Sequence, residues 1–138
     1  MERFHALIDW DAVMSAPRYA GGHIEVMRAL FGENADVLGE YVENDYQGDE
    51  SFAYRIKSSG EILIAIDSFG SCSGCDAWED STDDDARHMV HEIVQNARVF
   101  PNVACAVAWI NGIDGRDEYP NCYLWRNVSN LLPSLEKL

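Results

Sequence analysis

The stretch from Phe52 to Phe69, FAYRIKSSGEILIAIDSF, decides the fold. Two runs rich in β-branched and aromatic residues, Phe52–Lys57 and Glu61–Phe69, flank the pair Ser59-Gly60, which is a strong turn signal. This order predicts a β-hairpin. The segment ILIAI in the second run is apolar on both faces of a strand, so we expect that strand to lie inside the sheet rather than at its edge.

Outward from this hairpin, the hydrophobic pattern predicts three more strands and one long helix. The predicted strands are Tyr41–Tyr46, Val103–Ile110 (VACAVAWI) and Cys122–Val128. The helix covers about Thr82–Val99, with Ser81 or Thr82 as its cap and three aspartates in its first turn, where the positive end of the helix dipole stabilises them. The residues expected on its core-facing stripe are Val90, Ile93, Val94 and Ala97.

The first 32 residues are predicted to be a helical N-terminal segment. One helical pattern ends near Pro17, and a second ends at Gly32, a residue type typical of helix C-termini. Residues 40–128 then carry the sheet and the long helix. We therefore predict a single acidic α+β domain over residues 1–138, with an antiparallel sheet of about four to five strands packed with two or three helices.

The charge of the chain is strongly acidic and unevenly distributed. The 138 residues include 24 acidic and 10 basic side chains, which gives a formal net charge of −14. Residues 33–85 hold 15 of the acidic side chains and two of the basic ones, so −13 of the charge lies in this acidic segment. Nucleic-acid phosphates and anionic membranes are bound through Lys and Arg, so the composition argues against both as direct partners.

The most specific motif is Cys72-Ser-Gly-Cys75 followed by His88 and His91, a C-x2-C-x12-H-x2-H pattern. It differs from a two-cysteine, two-histidine zinc module by one residue in the last spacing. We therefore treat Cys72, Cys75, His88 and His91 as candidate zinc ligands. In the competing interpretation the glycines shape a turn, the cysteines are inert and the histidines are exposed. A variant of the zinc site would use Cys105 or Cys122, although Cys105 is expected to be buried in a strand.

The acidic residues around the CxxC pair favour metal binding over thiol chemistry. Six carboxylates lie within the ten residues that follow Cys75, and their field raises the pKa of a thiol and attracts a cation. Calcium-loop spacing and the common nucleotide-binding, hydrolase and metalloprotease motifs are absent from the sequence. A nucleophile–base pair of Cys75 and His88 stays open, but we expect no enzymatic activity.

An exposed aromatic residue among carboxylates is a plausible anchor for a protein partner. The residues predicted to contact such a partner are Asp76, Trp78, Glu79, Asp80, Asp83, Asp84 and Asp85. In the competing interpretation these acids only keep the domain soluble.

Two segments, Asn44-Asp-Tyr-Gln-Gly-Asp49 and Phe69-Gly-Ser-Cys-Ser-Gly-Cys-Asp-Ala-Trp78, resemble small uncharacterised proteins of phages and actinobacteria. The resemblance covers about Asn44–Glu79. It implies a phage or bacterial cytoplasmic setting. It also implies that five residues of the second segment act as one unit: Gly70, Cys72, Gly74, Cys75 and Asp76.

Three functional hypotheses follow. The first is a non-enzymatic acidic binding or inhibitor module, a phage-type DNA mimic that engages the basic surface of a nucleic-acid-handling protein. The second is a zinc-stabilised domain with a structural, or less readily a catalytic, metal. The third is a small hydrolase or thiol enzyme, which the sequence supports only by not forbidding it. The N-terminal residues lack the pattern of a signal peptide, and we expect a cytoplasmic protein with reduced cysteines.

Overall fold

Four antiparallel strands form one sheet in the computed structural model, which describes residues 1–17, 24–42, 47–70, 82–112 and 126–138. The strands are Ala35–Val42 (β1), Gln47–Ile56 (β2), Ile62–Gly70 (β3) and Arg98–Phe100 (β4). The helices described are Glu2–His5 (α1), Trp10–Ser15 (α2), Ile24–Ala29 (α3), Asp83–Gln95 (α4), Val103–Gly112 (α5) and Leu132–Glu136 (α6), with 3₁₀ helices at Gly32–Asn34 and Arg126–Leu131. The predicted single-domain α+β fold class is confirmed, although the helices in these ranges outnumber the two or three expected.

The strands follow one another in space as they do in sequence, in the order β1-β2-β3-β4. The predicted hairpin is present as β2 and β3, and Gly60 in its turn has a φ of 75°. β3 lies between β2 and β4, and Ile62, Leu63, Ile64 and Ala65 are fully buried. The prediction of an internal strand for ILIAI is therefore confirmed.

A helical layer covers each face of the sheet, because successive side chains of a strand point to opposite faces. Phe52, Tyr54 and Leu63 pack with α1–α4 on one face. Ala53 and Ile64 pack on the other face with α5, α6 and the 3₁₀ helix Arg126–Leu131. The stripe predicted for α4 is buried as expected.

The prediction of a strand at Val103–Ile110 is wrong, because this run forms the helix α5. An apolar run of eight residues does not by itself distinguish a buried strand from a helix. Asn102 favours the helix locally, because it caps the helix start. Its side-chain oxygen accepts a hydrogen bond from the backbone N–H of Cys105 at 2.9 Å. Consequently Cys105 is an exposed free thiol rather than a buried strand residue.

Several predicted element boundaries are also corrected by the structure. β1 begins at Ala35 rather than at Tyr41, and α4 ends at Gln95, before β4. β4 forms because Arg98–Phe100 pair with the start of β3, a long-range contact that a helical pattern cannot reveal. The first residues form two short helices rather than one.

The strand predicted at Cys122–Val128 lies mostly outside the described residues. Its last part, Arg126–Val128, belongs to a 3₁₀ helix rather than to a strand. No helix in the described ranges is both long enough and apolar enough to cross a membrane.

Candidate functional site

The start of α4 presents three of the predicted partner-contact residues, Asp83, Asp84 and Asp85, and all three are exposed. Thr82 caps the helix as predicted. Its hydroxyl accepts a hydrogen bond from the Asp85 N–H at 3.1 Å, and the Asp85 carboxylate accepts one from the Thr82 N–H at 3.2 Å. This reciprocal capping box contributes about 1 kcal/mol to helix stability. It holds the aspartates in a defined first turn.

The other predicted contact residues, Asp76, Trp78, Glu79 and Asp80, lie outside the described residues, as do the candidate zinc ligands Cys72 and Cys75 and the alternative ligand Cys122. Their placement relative to α4 stays a prediction. The same holds for the proposed pairing of Cys75 with His88.

His88 and His91 are both exposed on α4. The ring of His91 stacks on that of His5 from α1, with ring centroids 4.0 Å apart and planes 13° apart. The Nε2 of His5 lies 3.2 Å from the backbone oxygen of His91. Among the described residues, no group of three or more His, Cys, Asp or Glu side chains is arranged to hold a metal ion. The sequence did not reveal the His5–His91 pair, because 86 positions separate the two residues.

A second acidic group, the β1 acids, consists of Glu33, Asp36 and Glu40. Glu33 and Asp36 are exposed, and the Lys57 ammonium lies 3.8 Å and 3.7 Å from their carboxylates. Glu40 accepts hydrogen bonds from the Arg28 guanidinium of α3, one of them at 2.9 Å. This pairing lowers the pKa of the Glu40 carboxyl. The charge count includes these residues, but nothing in their spacing predicted a common site.

The aspartates of α4 and the first two β1 acids lie on separate elements of the fold. The C-terminal half of α4 contacts α1 through His91 and leads into β4, which pairs with the start of β3. Glu33 and Asp36 lie beside Lys57, at the β2–β3 turn.

Other carboxylates of the acidic segment are not presented to a partner. Glu50 is fully buried within β2. Glu61 accepts two hydrogen bonds from the Arg3 guanidinium, at 2.5 Å and 2.8 Å, which lower the pKa of its carboxyl. Among the described residues, the acids of this segment therefore do not form one exposed group: they occur at the start of α4, along β1, in the ion pair with Arg3 and in the core.

A shallow groove of about 520 Å³ runs along the outer side of β1. Its floor is Val37–Glu40, with Arg28 of α3 and Ser134 of α6 beside it. α6 approaches closely because residue 39 is glycine. A Cβ atom there would lie 2.9 Å from the Ser134 Cβ. Val37 is 39% exposed, one of two large hydrophobic residues exposed in the described ranges.

Tyr54 forms a polar contact inside the core rather than a reactive site. Its hydroxyl donates a hydrogen bond of 2.7 Å to the backbone oxygen of Met27 in α3. Burial raises the pKa of this hydroxyl well above its usual value, and the carboxylates of Glu50, Glu40 and Asp67 raise it further. A neutral, fully buried hydroxyl held by a carbonyl serves to join α3 to the sheet.

Comparison with known proteins leaves the function to be argued from the chain itself. The resemblance across Asn44–Glu79 stays a prediction, and its cysteine-containing part lies outside the described residues. No family model, curated protein or solved structure matches this chain.

Proposed function

We propose that this protein is a non-enzymatic acidic binding module that engages the basic surface of a partner protein. The partner class that fits best is a nucleic-acid-handling protein, whose phosphate-binding surface the module would cover as an inhibitor. The observation that supports this most is the exposed, capped first turn of α4 with Asp83, Asp84 and Asp85.

The first turn of α4 carries negative charge at a density similar to that of a nucleic acid. Duplex DNA carries one negative charge per ~1.7 Å of axis, and an α-helix rises ~1.5 Å per residue, so the consecutive residues Asp83, Asp84 and Asp85 place three exposed charges over a comparable length.

The capping box makes the α4 acids, Asp83, Asp84 and Asp85, suitable for binding. A side chain that is ordered before association loses less conformational entropy when it binds. Asp85 is part of the cap, and Asp83 and Asp84 are exposed next to it in the same helical turn. These two residues are therefore the first choice for mutation.

Immobilised protein incubated with bacterial lysate should capture a basic nucleic-acid-binding protein at low salt and lose it at high salt. With the captured protein purified, Asp83→Asn/Asp84→Asn should weaken binding roughly threefold or more, because each exposed ion pair contributes up to about 1 kcal/mol. Duplex DNA should compete for the same surface. The measurement is the dissociation constant by isothermal titration calorimetry.

The matched control is Asp11→Asn/Glu136→Gln, which also removes two exposed charges but lies outside the acidic segment. Equal weakening by both variants would show that only net charge matters. Absence of any basic partner even at low salt would contradict the proposal. A partner whose binding DNA does not affect would contradict the nucleic-acid-handling class.

The alternative proposal is a zinc-stabilised domain. His88 and His91 lie one helical turn apart and are both exposed, so their imidazoles are accessible to an ion. Native mass spectrometry should then show one zinc per chain, lost in Cys72→Ser/Cys75→Ser and kept in the control Cys105→Ser. Less than about one-tenth of a metal per chain, with unchanged stability of the double variant, would contradict this alternative.

We place the protein in the cytoplasm as part of the same proposal. Cys105 is an exposed free thiol, which is typical of a reducing compartment.

A further inference from the structure

We propose that the outer edge of β1 is a docking site for an extended basic segment of the partner protein, which would add a strand to the sheet beside β1. This inference rests on the proposed function and specifies the surface and the form of the partner. It involves a part of the molecule other than the α4 acids.

The first observation is that β1 is an edge strand. It pairs with β2 along its length, and no described strand pairs with its other side. Its eight residues span about 26 Å, long enough to align with a peptide of similar length. The unpaired N–H and C=O groups along such an edge are a template for another strand.

The second observation is the groove along this edge. A strand added beside β1 would lie over Val37–Glu40, between Arg28 on the α3 side and Ser134 on the α6 side. Val37 is exposed there and offers an apolar contact. Peptides that add to sheet edges use main-chain hydrogen bonds for affinity and such side-chain contacts for specificity.

The third observation is the charge around the groove. Four carboxylates, those of Glu25 and the three β1 acids, surround two cations, Arg28 and Lys57, each within 4 Å of two of these carboxylates. Arg55 lies opposite Asp36 on β2 and adds a third cation, so the local charge is −1. A segment with Lys or Arg opposite Asp36 and Glu40, and an apolar residue opposite Val37, complements it.

The same charge argues against a second copy of the chain as the occupant. Each copy has a formal net charge of −14, so two copies would repel each other. Pairing along this edge would also place the β1 acids of one copy beside those of the other. A basic segment gains from the charges that repel a copy.

The test uses two synthetic ten-residue peptides of alternating Lys and Val with blocked ends. The second peptide is N-methylated at alternate residues, which keeps its charge and removes the backbone donors of one edge. We expect the unmodified peptide to bind the full chain roughly tenfold or more tightly than the methylated one, because a few backbone hydrogen bonds at about 0.5–1.5 kcal/mol each are lost. Fluorescence anisotropy gives both dissociation constants.

Two pairs of variants locate the site. Val37→Lys should weaken binding of the unmodified peptide roughly tenfold. The control Ala104→Lys makes the same charge change at an exposed position of α5 and should weaken this binding less than about threefold. Asp36→Asn should weaken it more than Asp84→Asn. Circular dichroism confirms that each variant is folded.

Three results would overturn the inference. Equal, salt-dependent binding of both peptides would leave the basic-partner proposal standing and remove the edge-strand site. Failure of both peptides to bind at low salt, while a captured basic partner does bind, would show that the partner does not dock as an extended segment. A concentration-dependent dimer abolished by Val37→Lys would identify a second copy as the occupant.

Discussion

Replacing Tyr54 with alanine is expected to lower the free energy of unfolding by about 3–5 kcal/mol, the range typical of large aromatic residues removed from a core. Tyr54 is about 1% exposed and its ring packs against two other aromatic rings. Its ring centroid lies 5.1 Å from that of Phe31, which it meets edge-on, and 6.1 Å from that of Phe52. Its removal also leaves the Met27 carbonyl without the hydrogen bond that joins α3 to the sheet. Urea unfolding monitored by circular dichroism measures the change.

Two comparisons separate the causes of this loss. Tyr54→Phe keeps the ring and should lose only about 1–2 kcal/mol, the effect of leaving a buried carbonyl without its donor. Tyr41→Ala, on a half-buried tyrosine of β1, should lose less than Tyr54→Ala. A loss for Tyr54→Ala no greater than that for Tyr41→Ala would contradict the packing described for this residue.

Tyr54 should also make the protein less stable at alkaline pH. The folded state raises the pKa of its hydroxyl, so the unfolded chain, with a pKa near ~10, releases the proton first as the pH rises. The stabilisation is therefore fully present below about pH 10 and is lost above it, by up to about 1.4 kcal/mol per pH unit. Tyr54→Phe has no such proton, so its unfolding free energy should fall less between pH 9 and about pH 11. Parallel falls in both proteins would contradict this.

Replacing Gly32 with alanine should lower the free energy of unfolding by about 3 kcal/mol, through backbone strain and the loss of a helix cap. Gly32 has a φ of 50°, in the left-handed region that favours glycine. A Cβ atom there would overlap the Asp9 Oδ2 and could not be accommodated without displacing Asp9. Asp9 caps α2, since its Oδ1 accepts a hydrogen bond from the Ala12 N–H at 3.0 Å.

Gly60 provides the matched control for this prediction. It too has a positive φ, 75°, but a Cβ atom there would have no heavy atom within 4 Å. Gly60→Ala should therefore show only the strain, about 1–2 kcal/mol. Thermal or urea unfolding of both variants measures the difference. Equal losses would show that the close approach of Gly32 to Asp9 does not matter to stability.

The elements that local sequence predicted well are those with a strong pattern and a clear boundary. β3 is apolar on both faces and lies inside the sheet. Gly32 has a positive φ, although α3 ends at Ala29 and a 3₁₀ helix begins at Gly32. Thr82 caps α4 because its hydroxyl and Asp85 are three positions apart. Each of these depends on residues close together in the chain.

The elements that were predicted wrongly depend on contacts between distant residues. VACAVAWI forms α5, whose Trp109 and Ile110 pack against the sheet. An apolar run of this length is equally compatible with a buried strand. Arg98–Phe100 form a strand instead of continuing the helix, because they pair with the start of β3. Composition could not distinguish these outcomes, since the deciding partners lie far away in sequence.

The sequence by itself determined the α+β class, the central hairpin, the N-terminal cap of α4 and the acidic character of residues 33–85. These follow from periodicity, turn chemistry and charge, which are properties of neighbouring residues. Tertiary structure alone divided the described acids of that segment between the α4 start, β1, an ion pair with Arg3 and the core. It also left β1 at the sheet edge, because strand order and helix packing depend on which distant apolar surfaces meet.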